Sequence, residues 1–455
     1  MIVALDMPLS LQQIAHAIGA APIHPSAVIR RICTDSREAL PGDLFFALDG
    51  QHARGADFVT DARSRGAFAV STQVGEGVLC VRDTVAALAS LAAEYRSHLP
   101  SLKKTVAVTG SVGKTTTKNM LIALLSDDFA THGTHGNYNN QIGVPLTLLS
   151  APRSTEMLVA EIGISHPGEM QPLSELVHPD VALITNVGHA HVGNFGSEEQ
   201  LFSEKSRIAC GLKENGTLLV PYGDPRCRAI KGTEGVSLQD LHAPFYLSCR
   251  QTADEEHHAV FFYKGQSVCE LRLPFSQHGV LEDCAMAMAA ALTCGASPVR
   301  FENAFRSVRE NGLRMRSLTS PHGIHILDDA YNASPESMKE ALDTLCRRTK
   351  AHRCVLLGDM LELGGDTEHF HRMIGRQLYA CGIEKAFFFG VYAPFYRLGA
   401  QEAGMSPSSL FVNNDITSPE LTVRQIRDAC HDGDTLLCKA SHSSHLQAII
   451  QELIV

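Results

Sequence analysis

The sequence predicts an α/β protein of three domains, with a central P-loop domain on a parallel sheet and a C-terminal Rossmann-like α/β domain. Three observations carry this. A β-branched run, Thr105 to Thr109, leads into a glycine-rich turn and then Lys114-Thr115. Apolar, strand-length runs then alternate with helical patterns through the middle of the chain. The same alternation restarts near residue 312, and 455 residues at ~150 per domain accommodate three units.

The segment 1–100 has short apolar runs at Asp43–Leu48 and Phe68–Val70, broken by Pro41-Gly42. It closes with a helix over Thr84–His98, whose apolar side is Val85, Leu88, Leu91, Ala92 and Tyr95, and Pro100 follows as a linker. The segment 101–311 opens with Thr105–Thr109 and continues with strand runs at Met157–Ile162, Val181–Thr185 and Leu218–Val220. Within it, Val260–Tyr263 and Leu271–Leu273 flank a turn at Lys264-Gly265-Gln266, which predicts an antiparallel hairpin. The segment 312–455 has strand runs at Ile324–Leu327, Cys354–Leu357, Ala386–Phe389 and Thr435–Cys438. No short-period repeat occurs, which excludes a solenoid.

Composition removes several classes of function. Hydrophobic residues at 44% and charged residues at 19% supply buried cores and exclude a disordered chain. With 39 basic and 49 acidic side chains, the net charge of −10 offers no basic stripe to a nucleic-acid backbone. Any anionic substrate must therefore be held by local devices. The 13 cysteines form no C-x-x-C pair and sit singly beside apolar residues, as at Cys33, Cys354 and Cys438. Buried free thiols in a reducing compartment are expected. No signal-peptide pattern opens the chain, and its longest near-apolar run, Cys284 to Cys294, is about half the ~20 residues that span a bilayer. A cytoplasmic protein without a transmembrane segment is expected.

The loop Thr109-Gly110-Ser111-Val112-Gly113-Lys114-Thr115-Thr116 lies between a strand and a helix. Its glycines let backbone N–H groups surround phosphate oxygens, and the helix N-terminus adds partial positive charge. Lys114 reaches the outer phosphates and the Thr115 hydroxyl is placed for Mg²⁺. The standard spacing asks for glycine at Val108, so this is a shortened variant.

Glu161 ends one strand run, and Thr185-Asn186-Val187-Gly188-His189-Ala190-His191 follows the next. Strand ends are where doubly wound sheets bind ligands, so Glu161 and His191 are candidates for an Mg²⁺ shell around ATP. Taken singly, each also reads as a surface carboxylate or a backbone-bonded histidine. Lys205, in Glu204-Lys205-Ser206-Arg207, reads on residue chemistry alone as a solvated surface lysine. Asp328-Asp329 and Asp359 follow strand runs in the third segment, where turn-forming and capping roles compete with ligand contact. Arg314 and Lys439 suit phosphate or carboxylate contacts, or are ordinary surface charge.

Together these motifs resemble the Mur ligases, ATP-dependent amide-bond-forming enzymes of peptidoglycan precursor synthesis. The stretches that carry the likeness are Gly136–Thr147, Asp328–Met338 and Leu357–Gly364, in order along most of the chain. They match best the members that add D-alanyl-D-alanine to a UDP-N-acetylmuramoyl-tripeptide. The Asp-Asn-Pro-Arg or Asp-Asn-Pro-Lys element of sister enzymes that add a single diamino acid does not occur here.

The resemblance implies a role for each matching residue. Gly110, Ser111, Gly113, Lys114, Thr115 and Thr116 would hold ATP phosphates, and Thr115, Glu161 and His191 would surround Mg²⁺. Lys205 matches a lysine that is carbamylated in the family, which would turn it into an anionic oxygen ligand. Lys114, Asn140, His191 and Lys205 would form the catalytic centre, with Asn139 and Asn140 against substrate. Asn332 and Asp359 would face the nucleotide and Arg314 its phosphates, while Ser36 and Arg37 would hold the UDP end. Three family elements differ in this chain: Lys-x-Glu reads Lys205-Ser206-Arg207, His-Asn-x-x-Asn reads His278–Asp283, and Lys-Gly-Ser-Arg reads Lys439-Ala440-Ser441-His442. The implied activity is an ADP-forming ligation by a monomer. A sister ligase for a single amino acid and a P-loop switch NTPase are the alternatives.

Overall fold

The computed structural model describes all residues except 51–52, 191, 239, 253–255, 311–315, 331, 350–351, 442–443 and 445. Its strands form three sheets in chain order. The first has five strands in sequential order: β1 (Ile2–Ser10), β2 (Val28–Cys33), β3 (Leu44–Phe46), β4 (Phe68–Ser71) and β5 (Val78–Cys80). Only β1 and β2 pair antiparallel. The expected helix runs Thr84–Ser97, started by Asp83, whose carboxylate accepts from the N–H groups of Val85 and Ala86.

The second sheet contains β6 (Lys104–Thr109), β7 (Thr131–Gly133), β8 (Met157–Glu161), β9 (Val181–Ile184), β10 (Thr217–Pro221), β11 (Thr233–Leu238), β12 (Phe245–Gln251), β13 (His257–Tyr263) and β14 (Gln266–Leu273). Their spatial order is β14-β13-β12-β11-β10-β9-β6-β8-β7. β6 lies between β8 and β9, so the chain leaves it to either side, and the crevice at its carboxyl end is a topological switch point. The expected hairpin is β13–β14, turned by Lys264 and Gly265, both at positive φ, as a two-residue type I′ turn requires.

The third sheet has β15 (Arg316–Thr319), β16 (His325–Asp328), β17 (Arg353–Gly358), β18 (Lys385–Phe389), β19 (Leu410–Asn413) and β20 (Thr435–Lys439), ordered β15-β16-β20-β17-β18-β19. It is parallel apart from edge strand β15. Ser334 starts the helix Pro335–Arg348 with a reciprocal capping box, and Pro335 occupies its first turn.

The cores do not follow the sheets one for one. Leu5, Leu88 and Tyr95 of the first sheet's layer share a cluster with Val144, Leu148 and Met170 of the second. The Tyr95 hydroxyl adds a polar tie, accepting from Met7 N–H at 3.1 Å and donating to the Ala151 carbonyl at 3.2 Å. The two faces of the third sheet have clusters of their own. Among the described residues, no helix is long and apolar enough to cross a membrane. The described cysteines are all free thiols.

Candidate active site

The phosphate loop is pinned from one side by the segment after β9. Ser111 Oγ donates to the Gly188 carbonyl at 3.1 Å and accepts from Gly188 N–H at 2.9 Å. The Asn186 amide clamps Val112, accepting from its N–H at 2.9 Å and donating to its carbonyl at 3.0 Å. Lys114 Nζ reaches back across the loop to the carbonyls of Gly110 (2.8 Å) and Ser111 (3.2 Å).

From the other side Asp283, buried on the helix His278–Cys294, accepts from Thr117 Oγ1 at 2.9 Å. A Cβ on Gly113, whose φ is 83°, would lie 2.2 Å from Asp283 Oδ1. In the sequence Asp283 is only the end of a divergent element, 170 residues beyond Gly113, a separation that gives no sign of contact. Gly113→Ala should therefore force both a left-handed alanine and a displaced carboxylate. We expect it to destabilise the fold by about 1–3 kcal/mol, read as a lower urea midpoint, and to abolish saturable ATP binding in a filter or calorimetric assay.

Glu161 ends β8 and is 1% exposed, which rules out the surface-carboxylate reading. Its Oε1 accepts from Thr115 Oγ1 at 3.0 Å and from Asn139 Nδ2 at 2.8 Å. Its Oε2 is buried and accepts no hydrogen bond, with Lys118 Nζ 3.7 Å away. Lys118, one helical turn beyond Lys114, is itself buried and donates to the carbonyls of Thr134 (2.7 Å) and Gly136 (3.3 Å). The signal for Lys118 in the sequence is its i+4 spacing from Lys114, which puts the two on one helix face.

Lys205 is the larger correction. It is 1% exposed on the helix Glu198–Ser206, so it is not a solvated lysine. Its Nζ donates to the Gly110 carbonyl at 3.1 Å. Burial first, and the charge of Lys114 second, push its pKa well below the ordinary lysine value. An amine in that setting is held toward its neutral, nucleophilic form. Glu161, Thr115, Asn139, Lys114 and Lys205 thus converge on the carboxyl end of β6 and β8, around one loop.

The family model described as the Mur ligase middle domain matches residues 108–289, and that described as the Mur ligase glutamate ligase domain matches 313–442. A relative from Bacillus subtilis (strain 168), UDP-N-acetylmuramoyl-tripeptide–D-alanyl-D-alanine ligase, is 33% identical over 96% of this chain and 95% of its own. The chain belongs to the Mur ligase family. Among solved structures, a MurF from Acinetobacter baumannii superposes with a TM-score of 0.86 at 28% identity, covering 99% of this chain and all of that one. MurF from Thermotoga maritima, solved with ADP, gives 0.79 at 27% identity, covering 93% and 96%.

In this Mur ligase the third sheet's unit meets the second across His189. The imidazole Nε2 lies 2.7 Å from Glu198 Oε1 of its own unit, and Nδ1 lies 2.5 Å from Glu336 Oε1 at the start of Pro335–Arg348. Its backbone N–H donates to Glu336 Oε1 as well, at 2.9 Å. Burial opposes a charge on His189, but the hydrogen bonds and charges of the two glutamates outweigh it and raise its pKa. Nearby, Gly193 N–H donates to the Glu362 carbonyl at 3.0 Å and Gly279 N–H to Glu340 Oε1 at 3.1 Å. The sequence pointed to His191 in this segment, which lies outside the described residues, as does Arg314. His189→Ala removes the clasp; at partial exposure this is worth about 1 kcal/mol, or ~fivefold in docking. We expect a larger radius of gyration by small-angle scattering and a raised KM for ATP.

The other residues divide by what they touch. Asn332 is exposed, with its Oδ1 accepting from Ala333 N–H. Asp359 is buried, and its two oxygens accept from the N–H groups of Val391 (2.9 Å) and Tyr392 (3.0 Å), shaping that loop. Lys439 is buried rather than surface charge, held by Asp329 Oδ2 at 2.6 Å and the Asn332 carbonyl at 2.9 Å. Asn140 Oδ1 accepts from Ile142 and Gly143 N–H, starting the helix Gly143–Leu149. In the first sheet's unit Ser36 is buried beside Asp61, and Arg37 is exposed in a 2.6 Å pair with Asp35.

Proposed function

We propose that this Mur ligase joins D-alanyl-D-alanine to UDP-N-acetylmuramoyl-tripeptide, with ATP consumed and ADP and phosphate released. The observation that carries the reading is full-length likeness to ligases named for that reaction, running through all three sheets. The tripeptide carboxylate attacks the γ-phosphorus, the bond to ADP breaks, and an acyl phosphate forms. The dipeptide amine then attacks the acyl carbon, phosphate leaves, and the amine proton passes to solvent. Lys114 offsets negative charge as the phosphoryl moves, and the N-terminus of the helix Lys114–Ser126 adds partial positive charge beside it.

The residues fit a hard divalent cation, because a buried carboxylate oxygen that accepts no hydrogen bond stands beside a threonine hydroxyl. Mg²⁺ would be held by Thr115, Glu161, His191 and a carbamylated Lys205, and when bound supplies charge neutralisation to the phosphates. Asn139 fixes the Glu161 carboxylate through its amide. Asn140 orders the stretch that faces substrate, Asn332 and Arg314 meet the nucleotide from the third unit, and Ser36 and Arg37 meet the UDP end. We assign residues 1–100 to the UDP substrate, 101–311 to ATP and 312–455 to nucleotide closure, in a monomer of the cytoplasm.

The test is phosphate release from ATP with the UDP-tripeptide, comparing D-alanyl-D-alanine, single amino acids and no amine. Release only with the dipeptide, together with a UDP-pentapeptide product, is the expected result. Release with a single amino acid would make the chain a sister ligase. Release without any peptide substrate would make it a switch NTPase.

A further inference from the structure

We propose that Cys354, Cys430 and Asp434 form a binding site for one thiophilic divalent cation of the zinc or cadmium class, at the amino ends of the third sheet's two central strands. One ligand atom from each lies within 4.8 Å of the other two, and all three residues are buried. They come from three places in the chain: the start of β17, the end of the helix Pro419–Ala429, and the loop just before β20. β17 and β20 are neighbours, with Cys354 opposite Leu436, so the sheet itself brings the ligands together. His431 N–H donates to Asp434 Oδ2 at 2.9 Å and fixes the carboxylate.

The donor set decides the class of ion. Two sulfurs and one carboxylate oxygen favour zinc or cadmium and disfavour Mg²⁺, which sets this place apart from the phosphate loop. Bonds of about 2.3 Å to sulfur and ~2.1 Å to oxygen put tetrahedral ligand atoms roughly 3.5–3.8 Å apart, so the cluster closes with small rotamer adjustments. Charge balances too. Two thiolates and a carboxylate carry −3, a divalent ion returns +2, and Lys385, which acts electrostatically on Cys354 and donates to the Ala429 carbonyl, supplies the remaining +1. On binding, the Cys354 and Cys430 S–H protons pass to solvent as the two sulfur–metal bonds form, and water completes the fourth position. The bound ion would brace the start of β17 against the start of β20.

The test uses the full chain, reduced and stripped with chelator, titrated with Co²⁺ and then Zn²⁺. One equivalent of Co²⁺ should give a thiolate-to-cobalt charge-transfer band, which ions at an oxygen-lined Mg²⁺ site cannot produce, and Zn²⁺ should bleach it. Cys354→Ser and Cys430→Ser should each lose the band, Asp434→Asn should weaken binding by about tenfold or more, and Cys227→Ala should leave it unchanged. Zn²⁺ should also raise the melting temperature of the unmutated chain, a readout that needs no variant to fold. Absence of the band in the unmutated chain, its survival in Cys354→Ser, or loss of two hydrogens to a disulfide in place of metal uptake would each overturn the proposal.

Discussion

Glu161→Gln should lower ligase turnover by about 10²–10³-fold and, if the proposed Mg²⁺ site is the one used, raise the Mg²⁺ concentration needed for half-maximal rate. Glutamine keeps an oxygen for Thr115 and Asn139, at 3.0 and 2.8 Å in the parent, so the loop contacts can survive. What disappears is the charge on Oε2, the one oxygen that accepts no hydrogen bond. The same change removes the negative charge that faces Lys118, 3.7 Å away and buried. Breaking a buried pair from one side costs about 3–5 kcal/mol, so a lower denaturation midpoint should accompany the lost activity. The double variant Lys118→Met/Glu161→Gln separates the two effects. It should recover most of the stability and none of the turnover; recovery of both would show that Glu161 matters only for folding.

The second large effect runs in opposite directions for stability and activity. Lys205→Met should reduce turnover by at least ~10²-fold while raising stability by about 1–3 kcal/mol. The parent amine is buried, bonded to a single carbonyl at 3.1 Å and set against the charge of Lys114. A thioether of similar length fills the same space without desolvating a polar group. Depression of the lysine pKa also favours carbamylation: the neutral amine attacks CO₂, the N–C bond forms, and a proton leaves. The unmutated enzyme should accordingly lose activity in CO₂-free buffer and regain it with bicarbonate, and its intact mass should carry one added CO₂ that mild acid removes. Activity indifferent to CO₂, in an enzyme of unmodified mass, would sink the carbamate and leave Lys205 as a direct phosphate contact.

What could be read from the sequence was what is local. The phosphate loop is a run of consecutive residues between a strand and a helix, and strand ends of a parallel sheet bind ligands, so Lys114, Thr115 and Glu161 could be placed without coordinates. Lys205 could be placed only through the family resemblance, because its burial comes from packing the helix Glu198–Ser206 over Gly110, 95 residues earlier in the chain. Lys439 stays open in the sequence between a phosphate or carboxylate contact and surface charge for the same reason, its carboxylate partner Asp329 being 110 residues away. His189 and His191 are indistinguishable by residue type and position. The approach of Glu336 from another unit is what makes His189 a residue that joins the two. The strands missed by pattern include β5, three residues long, and β15, an edge strand that is largely exposed, where periodicity has little to register.

The core shared by the first two sheets has a thermodynamic consequence. Leu88 and Tyr95 pack with Val144 and Leu148, so melting either layer uncovers the other's apolar surface, and the two should unfold as a single cooperative unit. The third sheet keeps its apolar clusters to itself and meets the rest around His189, through its contacts with Glu336 and the packing of its ring on Phe370, with centroids 4.8 Å apart. Heating should therefore release it in a transition of its own. The same division sets a two-sheet platform built on one shared core beside a smaller third unit that can part from it without dismantling its own clusters.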